Sequence, residues 1–198
     1  DFYYGNFKGL KSVSMDIAEK KVTAFIGPSG CGKSTLLRCL NGFVKPTAGQ
    51  IVVNQHTVYP LRRERDLRLV RAQVGQVLQG LHLVARLSAL ENVLVGGLAR
   101  MSRLRSWVRI FTHEETQRAY AALNAVGMAH LAGKRADKLS GGERQKVAIA
   151  RMLMQQPELV LADEPTAALD PTAADEVCEL LVKASENCTL ITVVHNVA

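Results

Sequence analysis

Short apolar runs alternate with segments of helical spacing along most of this chain. Residues 1–4 and the alternating residues 12–17 predict strands, and the continuous apolar run at residues 22–26 predicts a buried strand. Residues 27–32 predict a loop because half of them are glycine. Leucines at helical spacing within residues 34–40 predict a helix. The start of the chain is therefore predicted to form strands, a loop and a helix.

The middle of the chain changes from alternating to helical character. Residues 49–58 alternate, residues 65–72 predict a short helix, and residues 90–131 predict a mostly helical lobe. The residues predicted to share one face of that lobe are Tyr120, Leu123 and Val126.

The C-terminal third returns to an alternation of helices and apolar strands. Helices are predicted at residues 142–154 and 173–183, and buried strands at residues 159–162 and 190–194. Near-continuous apolar strands that alternate with helices indicate a parallel sheet covered on both faces. The pattern predicts an α/β fold.

Composition narrows the class of protein. Of the 198 residues, 47% are apolar and 22% are charged, which is typical of a folded globular chain. No apolar run reaches the length of a membrane-spanning helix and no export signal opens the sequence, so a cytosolic location is expected. The four cysteines lack paired C-x-x-C spacing, which suits a reducing compartment.

The net charge of +7 comes largely from two arginine-rich blocks, residues 62–71 and 100–109. Such a charge favours partners that carry phosphate, either nucleic acid or lipid headgroups. Arginines at helical spacing are also typical of a plain solvated face, and the sequence leaves both interpretations open.

The stretch GPSGCGKST carries the clearest chemistry. It satisfies G-x-x-x-x-G-K-[ST] through Gly27, Gly32, Lys33 and Ser34, with the required strand before it and helix after it. Free N–H groups, a helix N-terminus and the lysine charge all favour bound phosphate, and the serine hydroxyl suits Mg²⁺. The predicted nucleotide-binding residues of this loop are Gly27, Pro28, Ser29, Gly30, Cys31, Gly32, Lys33, Ser34 and Thr35.

Two further motifs extend the predicted site. Asp163 and Glu164 end the apolar run LVLADE, where the first carboxylate can hold Mg²⁺ through water and the second can polarise an attacking water. LSGGE supplies another helix start with small residues at Ser140, Gly141 and Gly142, which is able to bind an anion. One nucleotide does not need both helix ends from a single subunit.

With GPSGCGKST, Gln79, LSGGE, LVLADE, AALD and His195 in this order, the chain resembles the ABC-transporter ATPases. The resemblance implies a P-loop NTPase with a parallel-sheet core, an antiparallel β N-terminal subdomain and an inserted helical subdomain. Residues 1–78 and 156–198 would form the core and residues 79–155 the helical signature subdomain. The C-terminal end of such a domain is expected to be missing.

The same resemblance implies ATP and Mg²⁺ as ligands and a head-to-tail homodimer, in which the signature of one copy closes over the γ-phosphate held by Lys33 of the other. It assigns Tyr4 to stacking on adenine, with a core-packed tyrosine as the alternative. Gln79 would reach Mg²⁺ and the attacking water, and His195 the γ-phosphate. Asp170 would join the two nucleotide sites. Three residues before it, Ala167 stands where family members often have a serine.

Within the family, residues 1–42 resemble phosphate-importer ATPases, and the sequence from residue 74 onward resembles ATPases of phosphonate and phosphite importers. The implied function is ATP-driven uptake of a phosphorus oxyanion. The implied partners are transmembrane permease subunits, which would dock along residues 80–95, and an extracytoplasmic solute-binding protein, with the chain at the cytoplasmic face of the membrane. Five apolar residues of that segment could form the docking groove or equally the core of the helical lobe: Leu81, Leu83, Val84, Leu87 and Leu90.

Three alternative functions remain open. A non-transport ABC ATPase that acts on DNA would suit the basic charge, but residues 34–139 contain no sustained heptads and no cysteine cluster, so no nucleic-acid partner is expected. A module that binds ATP without hydrolysing it is disfavoured by Glu164. An importer ATPase for another small solute is a further alternative.

Overall fold

The computed structural model describes residues 1–61, 63–78, 81–101, 105, 107, 110–167 and 169–194. The strands are β1 (Phe2–Tyr4), β2 (Phe7–Leu10), β3 (Val22–Ile26), β4 (Ile51–Val53), β5 (His56–Tyr59), β6 (Val74–Val77), β7 (Leu159–Asp163) and β8 (Thr189–Val194). The helices are α1 (Lys33–Leu40), α2 (Glu64–Gln73), α3 (Ala89–Gly96), α4 (His113–Ala125), α5 (Gly141–Gln155) and α6 (Pro171–Ala184). Single 3₁₀ turns occur at Leu98–Arg100, Ala129–Leu131 and Ala136–Lys138.

A parallel sheet lies at the centre of the fold, with the strand order β3-β8-β7-β6. Asp163 at the end of β7 is paired with Val193, and Ile26 at the end of β3 is paired with Val194. All four carboxyl ends therefore lie at one edge of the sheet, where open α/β sheets bind their ligands.

Alternate residues of the central strands supply two apolar layers, one on each face of the sheet. In β7, Leu159 and Leu161 pack with α1, α2 and the β4–β5 hairpin, whereas Val160 and Ala162 pack with α3, α4, α5 and α6. This period of two explains the unbroken apolar run, because both faces of β7 are covered. The predicted fold class, a parallel-sheet core with antiparallel strands and added helices, is confirmed.

The antiparallel part of the fold consists of two hairpins, β1–β2 and β4–β5. The alternating residues 12–17 form no strand, contrary to the prediction. Among the described residues, β2 pairs with β1 and β4 pairs with β5, so this segment has no hydrogen-bonded strand beside it. Val13 and Met15 consequently lie exposed.

Two predictions of burial were also wrong. The strand β3 is correct in position but lies at the edge of the sheet, so Val22 and Ile26 are more than half exposed, at 55% and 63%. In α4, Leu123 is buried as predicted, but Tyr120 is exposed on the outer face of the helix.

Two of the helices that pack on the sheet begin with ordinary capping chemistry. Ser88 and Thr112 form capping boxes with Glu91 and Glu115 at the starts of α3 and α4. None of the helices built from described residues has the length and apolar character needed to cross a bilayer. All four cysteines are described and all are free thiols.

Candidate functional site

The glycine-rich loop joins the end of β3 to α1 and bends so that only glycine fits at its last position. Gly32 has φ +99°, and a Cβ atom there would lie 2.8 Å from both the Gly9 carbonyl oxygen and Leu10 Cδ2. Gly30 also has a positive φ of +78°. The backbone at Gly32 therefore lies directly against β2, where no side chain fits.

The N-terminus of α1 is open to an anion. Gly32 supplies no side-chain cap, and the first turn of α1 contains no acidic residue. The first N–H groups of a helix have no partner within the helix, and their partial positive charge favours a bound phosphate.

Lys33 folds back over the same loop. Its ammonium Nζ donates to the carbonyl oxygens of Gly27 at 2.7 Å and Pro28 at 2.9 Å, and it lies 3.7 Å from Cys31 Sγ. The charge of Lys33 is thus held against the glycine-rich loop.

Ser34 and Asp163 come together although they are far apart in the sequence. The Ser34 hydroxyl donates to Asp163 Oδ1 at 2.8 Å, and Asp163 is buried at the end of β7. A hydroxyl oxygen beside a carboxylate oxygen is the kind of donor pair that suits Mg²⁺, which takes few protein ligands and completes its shell with water and phosphate.

Glu164 adopts a left-handed backbone conformation with φ +51°, which is unusual for a residue other than glycine. Its N–H donates to the Val193 carbonyl oxygen at 3.2 Å, which ties the turn after β7 to β8. This turn brings Glu164 into the lining of the same cleft as Lys33 and Ser34. Strained backbone of this kind is concentrated at functional sites.

Lys33, Ser34 and Glu164 border one cleft of about 230 Å³. Its lining residues are Tyr4, Phe7, Gly9, Ser29, Gly30, Gly32, Lys33, Ser34, Thr35 and Glu164. The Tyr4 hydroxyl is hydrogen-bonded to Thr35 Oγ1 at 2.9 Å, which fixes an otherwise exposed ring at the rim.

Phe7 and Gly9 were not predicted as site residues. Phe7 is 66% exposed at the start of β2, so the cleft has a second aromatic ring beside Tyr4. An aromatic residue directly after the Gly5-Asn6 turn is the sequence signal that points to it, but whether such a ring faces the core or a ligand depends on the pairing of β1 with β2.

The signature turn, residues 139–143, lies outside this cleft. Ser140 caps α5 by accepting a hydrogen bond from the Glu143 N–H, and the Glu143 carboxylate accepts one from the Ser140 N–H at 2.7 Å. That second hydrogen bond is the main reason that the pKa of Glu143 is lowered. Gly141 and Gly142 have open surroundings, since an added Cβ would meet its nearest neighbour at 3.8 Å in both cases.

The remaining predicted residues are placed as follows. Asp170 caps α6 by accepting from the Ala173 N–H at 3.1 Å, and Ala167 donates its N–H to the Glu164 carbonyl oxygen. Gln79 and His195 lie outside the described residues, although the sequence puts them just beyond the ends of β6 and β8.

The segment predicted to dock a partner, residues 80–95, serves partly as core. Leu83 and Leu90 pack against the large apolar cluster, whereas Val84 is exposed. Beside this segment a groove of about 330 Å³ runs between α3, α5 and β6. Its lining residues are Arg71, Gln76, Val95, Gly96, Ala99, Arg151, Met152 and Gln155.

Comparison with known sequences agrees with this geometry. The sequence profile described as ABC transporter matches residues 10–167. The phosphonates import ATP-binding protein PhnC of Nitratidesulfovibrio vulgaris is 49% identical over 177 residues, which are 89% of this chain and 66% of that protein. The PhnC 1 protein of Ruegeria sp. is 44% identical over 190 residues, 95% of this chain and 74% of that protein.

Solved structures give the same result. A dimeric ATP-binding cassette in a post-hydrolysis state, bound to ADP and Pi, superposes with a TM-score of 0.81 at 34% identity and covers 96% of this chain and 81% of that chain. The cbiO1 protein from Clostridium perfringens, part of an ABC transporter complex, gives a TM-score of 0.82 at 32% identity and covers 98% and 74%. The chain thus spans about two thirds to four fifths of the proteins compared.

Proposed function

This chain belongs to the ABC transporter family, and from that premise we propose that it binds MgATP and hydrolyses it to power import of a phosphorus oxyanion. The observation that carries the proposal is the 2.8 Å hydrogen bond between Ser34 and Asp163 beneath the glycine-rich loop. It joins the first turn of α1 to the end of β7, so that a hydroxyl and a carboxylate oxygen come together beside Lys33.

Several residues in or beside the cleft have proposed roles in ATP hydrolysis. The loop N–H groups and Lys33 bind the phosphates, and Ser34 and Asp163 hold Mg²⁺, which neutralises charge on the phosphates when it is bound. Glu164 polarises the attacking water, because its carboxylate follows the strand that carries Asp163. Tyr4 stacks on the adenine at the exposed rim of the cleft.

Gln79 and His195 are proposed to complete the site. Each comes just after a strand of the parallel sheet, β6 or β8, whose carboxyl ends lie at the same edge as the glycine-rich loop. Gln79 would contact Mg²⁺ and the attacking water, and His195 the γ-phosphate. In this arrangement residues 1–78 and 156–198 form the core, and residues 79–155 form the helical signature subdomain.

The dimer is proposed to be head to tail, with Ser140, Gly141 and Gly142 of one copy closing over the γ-phosphate of the other. Three observations support this arrangement. The signature turn does not line the cleft of its own chain. A Cβ atom added at Gly141 or Gly142 would meet no atom closer than 3.8 Å, so the fold of this chain does not require glycine there. A similar cassette is dimeric in the state bound to ADP and Pi. Asp170, exposed at the start of α6, would lie between the two nucleotide sites.

The proposed solute class rests on the relatives. Several proteins named phosphonates import ATP-binding protein PhnC share 42–49% identity with this chain. We therefore favour a phosphonate importer over a phosphate importer. The proposed partners are transmembrane permease subunits and an extracytoplasmic solute-binding protein, with the chain at the cytoplasmic face of the membrane. The groove beside residues 80–95 is the proposed docking surface for the permease.

The variant Glu164→Gln tests the proposal. Loss of the general base should lower ATP hydrolysis by at least about 100-fold while ATP binding persists, so that a dimer accumulates with ATP. Size-exclusion chromatography with ATP measures the dimer, and phosphate release measures turnover. Glu179→Gln, an exposed carboxylate on α6, is the matched control and should behave as the unmodified chain. An ATP-loaded monomer with normal turnover would refute the assignment of Glu164 and the dimer together.

A further inference from the structure

The β1–β2 hairpin carries three exposed aromatic side chains, Tyr3 at 40%, Tyr4 at 51% and Phe7 at 66%. Tyr3 and Tyr4 are consecutive in a strand, so their side chains point to opposite faces of the hairpin. Tyr3 is paired with Lys8, whose Nζ lies 5.5 Å from the centre of the Tyr3 ring. The Tyr3 ring thus contacts a cation of its own chain, and Tyr3 is not among the residues that line the cleft.

Tyr4 and Phe7 share the other face of the hairpin. They are directly opposite each other in the antiparallel pair, where side chains point to the same side, and both line the cleft. The Tyr4 hydroxyl is hydrogen-bonded to Thr35, and the Tyr4 ring packs edge-on against Phe2 with 4.7 Å between the ring centres. A Cβ atom at Gly9 would lie 3.2 Å from Tyr4 Cδ2, so the tyrosine ring also lies against β2. Tyr4 is therefore held in place from several sides.

Phe7 is the more exposed ring of this pair. Among the described residues it makes no ring–ring or cation–ring contact. A single exposed ring needs no explanation, but a ring that borders a cleft beside a second exposed ring is typical of a ligand-binding surface. The fold of this chain thus leaves most of the Phe7 ring available to a molecule in the cleft.

The cleft is lined by two kinds of side chain. Its polar side chains, apart from the Tyr4 hydroxyl, come from the glycine-rich loop, from α1 and from the turn after β7: Ser29, Lys33, Ser34, Thr35 and Glu164. The hairpin contributes two aromatic rings, and the one hydroxyl that they carry is already bonded to Thr35. Charged groups together with flat apolar rings match the two parts of a nucleotide, its phosphates and its base.

We propose that Phe7 provides a second stacking surface for the base of the nucleotide, beside Tyr4, and that the two rings accept any purine. The proposal rests on the proposed function, because it requires a nucleotide in the cleft. Every base has a flat face on which an aromatic ring can stack, whereas selection between bases needs hydrogen bonds to their edges. Among the described residues, the hairpin offers the cleft no free polar side chain for such a bond. ATP and GTP should therefore bind alike, and CTP, whose base has a smaller face, should bind less tightly.

Isothermal titration calorimetry with the 198-residue chain tests the proposal. The probes are the magnesium complexes of ATP, GTP, CTP and inorganic tripolyphosphate, which has phosphates but no base. Phe7→Ala should weaken the binding of ATP and of GTP by about tenfold each and leave the binding of tripolyphosphate unchanged. Phe7→Trp keeps a flat ring and should restore ATP binding, whereas Phe7→Leu keeps apolar volume without a ring and should not. In turnover assays Phe7→Ala should raise KM for ATP about tenfold and change kcat by less than about twofold, because the base is remote from the reacting phosphate.

Phe43→Ala is the matched control, because Phe43 is 56% exposed and is not among the residues that line the cleft. Equal ATP affinities for Phe7→Ala and Phe43→Ala would overturn the proposal. Weaker tripolyphosphate binding by Phe7→Ala would also overturn it, because the ring would then support the cleft itself, and normal ATP binding by Phe7→Leu would exclude stacking.

The unmodified chain separates this proposal from the proposed function. If it binds tripolyphosphate as tightly as ATP, the base makes no contact, and the role given to Phe7 is wrong although the phosphate site stands. If it binds neither ATP nor tripolyphosphate, the proposed function is refuted and the role of Phe7 with it.

Discussion

The glycine-rich loop at residues 27–34 and the signature turn at residues 139–143 both put glycines at the start of a helix, but for different reasons. At Gly32 the fold itself excludes a side chain, because Gly9 and Leu10 lie 2.8 Å from the position of a Cβ atom. At Gly141 the nearest atom is 3.8 Å away, so the chain alone does not require glycine there. The first glycine shapes a cleft, and the second leaves a surface open.

The two helix starts also differ in charge. The N-terminus of α1 has no side-chain cap and no acid in its first turn, and Lys33 lies beside it. The N-terminus of α5 is capped by Ser140, and Glu143 adds a negative charge with a lowered pKa. The N-terminus of α1 therefore favours a bound phosphate without a contribution from another copy. At the N-terminus of α5, by contrast, a side-chain cap and a negative charge are already supplied by the same chain. This difference suits a primary nucleotide site and a surface that joins it from another copy.

The largest expected effect comes from removing the charge of Lys33 at the N-terminus of α1. Lys33→Ala should weaken ATP binding on the order of 100-fold, because a charge-assisted hydrogen bond to the phosphates is lost. Isothermal titration calorimetry measures the affinity. Lys45→Ala, an exposed lysine beyond α1, is the control and should bind ATP normally. Equal affinities for the two variants would remove the glycine-rich loop from the site.

A pair of alanine substitutions tests the difference between the glycines. Gly32→Ala should lower the free energy of unfolding by about 1–3 kcal/mol, because the new side chain meets backbone at a positive φ. Gly141→Ala should change stability by less than about 0.5 kcal/mol and should weaken the ATP-dependent dimer. Urea denaturation followed by circular dichroism measures the first quantity and size-exclusion chromatography the second. A Gly141→Ala chain that dimerises normally would contradict the role given to the signature turn.

The smallest effect concerns the cap of α5 and depends on pH. Because folding lowers the pKa of Glu143 below its ordinary value of 4.5, its charge stabilises the folded chain above that pH. This contribution disappears as the pH falls through the lowered pKa. Glu143→Gln keeps the hydrogen-bonding shape without the charge, so it should be about 0.5 kcal/mol less stable near neutral pH.

Urea midpoints measured for both chains across the acidic range check this prediction. The difference between them should shrink towards zero as the pH falls, because Glu143 becomes protonated and loses its charge. Other carboxylates such as Glu115 are present in both chains, so their effects cancel. A difference that grows in acid would mean that the charge of Glu143 does not stabilise α5.

Much of the fold could be predicted from the sequence where both partners of an interaction lie close in the chain. The unbroken apolar run of β7, the glycines before α1 and the capping motif of α5 each identify their element directly. The wrong predictions concern how strands are placed in the sheets. Residues 12–17 alternate as a strand should, yet no strand lies beside them among the described residues. Val22 is apolar but exposed, because β3 is an edge strand.

The sequence by itself determined the glycine-rich loop, since Gly27, Gly32, Lys33 and Ser34 lie within eight residues and their spacing is local. Only the tertiary structure decided that Asp163, 129 residues away, accepts a hydrogen bond from Ser34, and that Phe7 faces the cleft. It also decided that the signature turn lies away from that cleft. The physical reason is that spacing along a chain fixes local backbone geometry, whereas distances between strands depend on which strands pair and in what register.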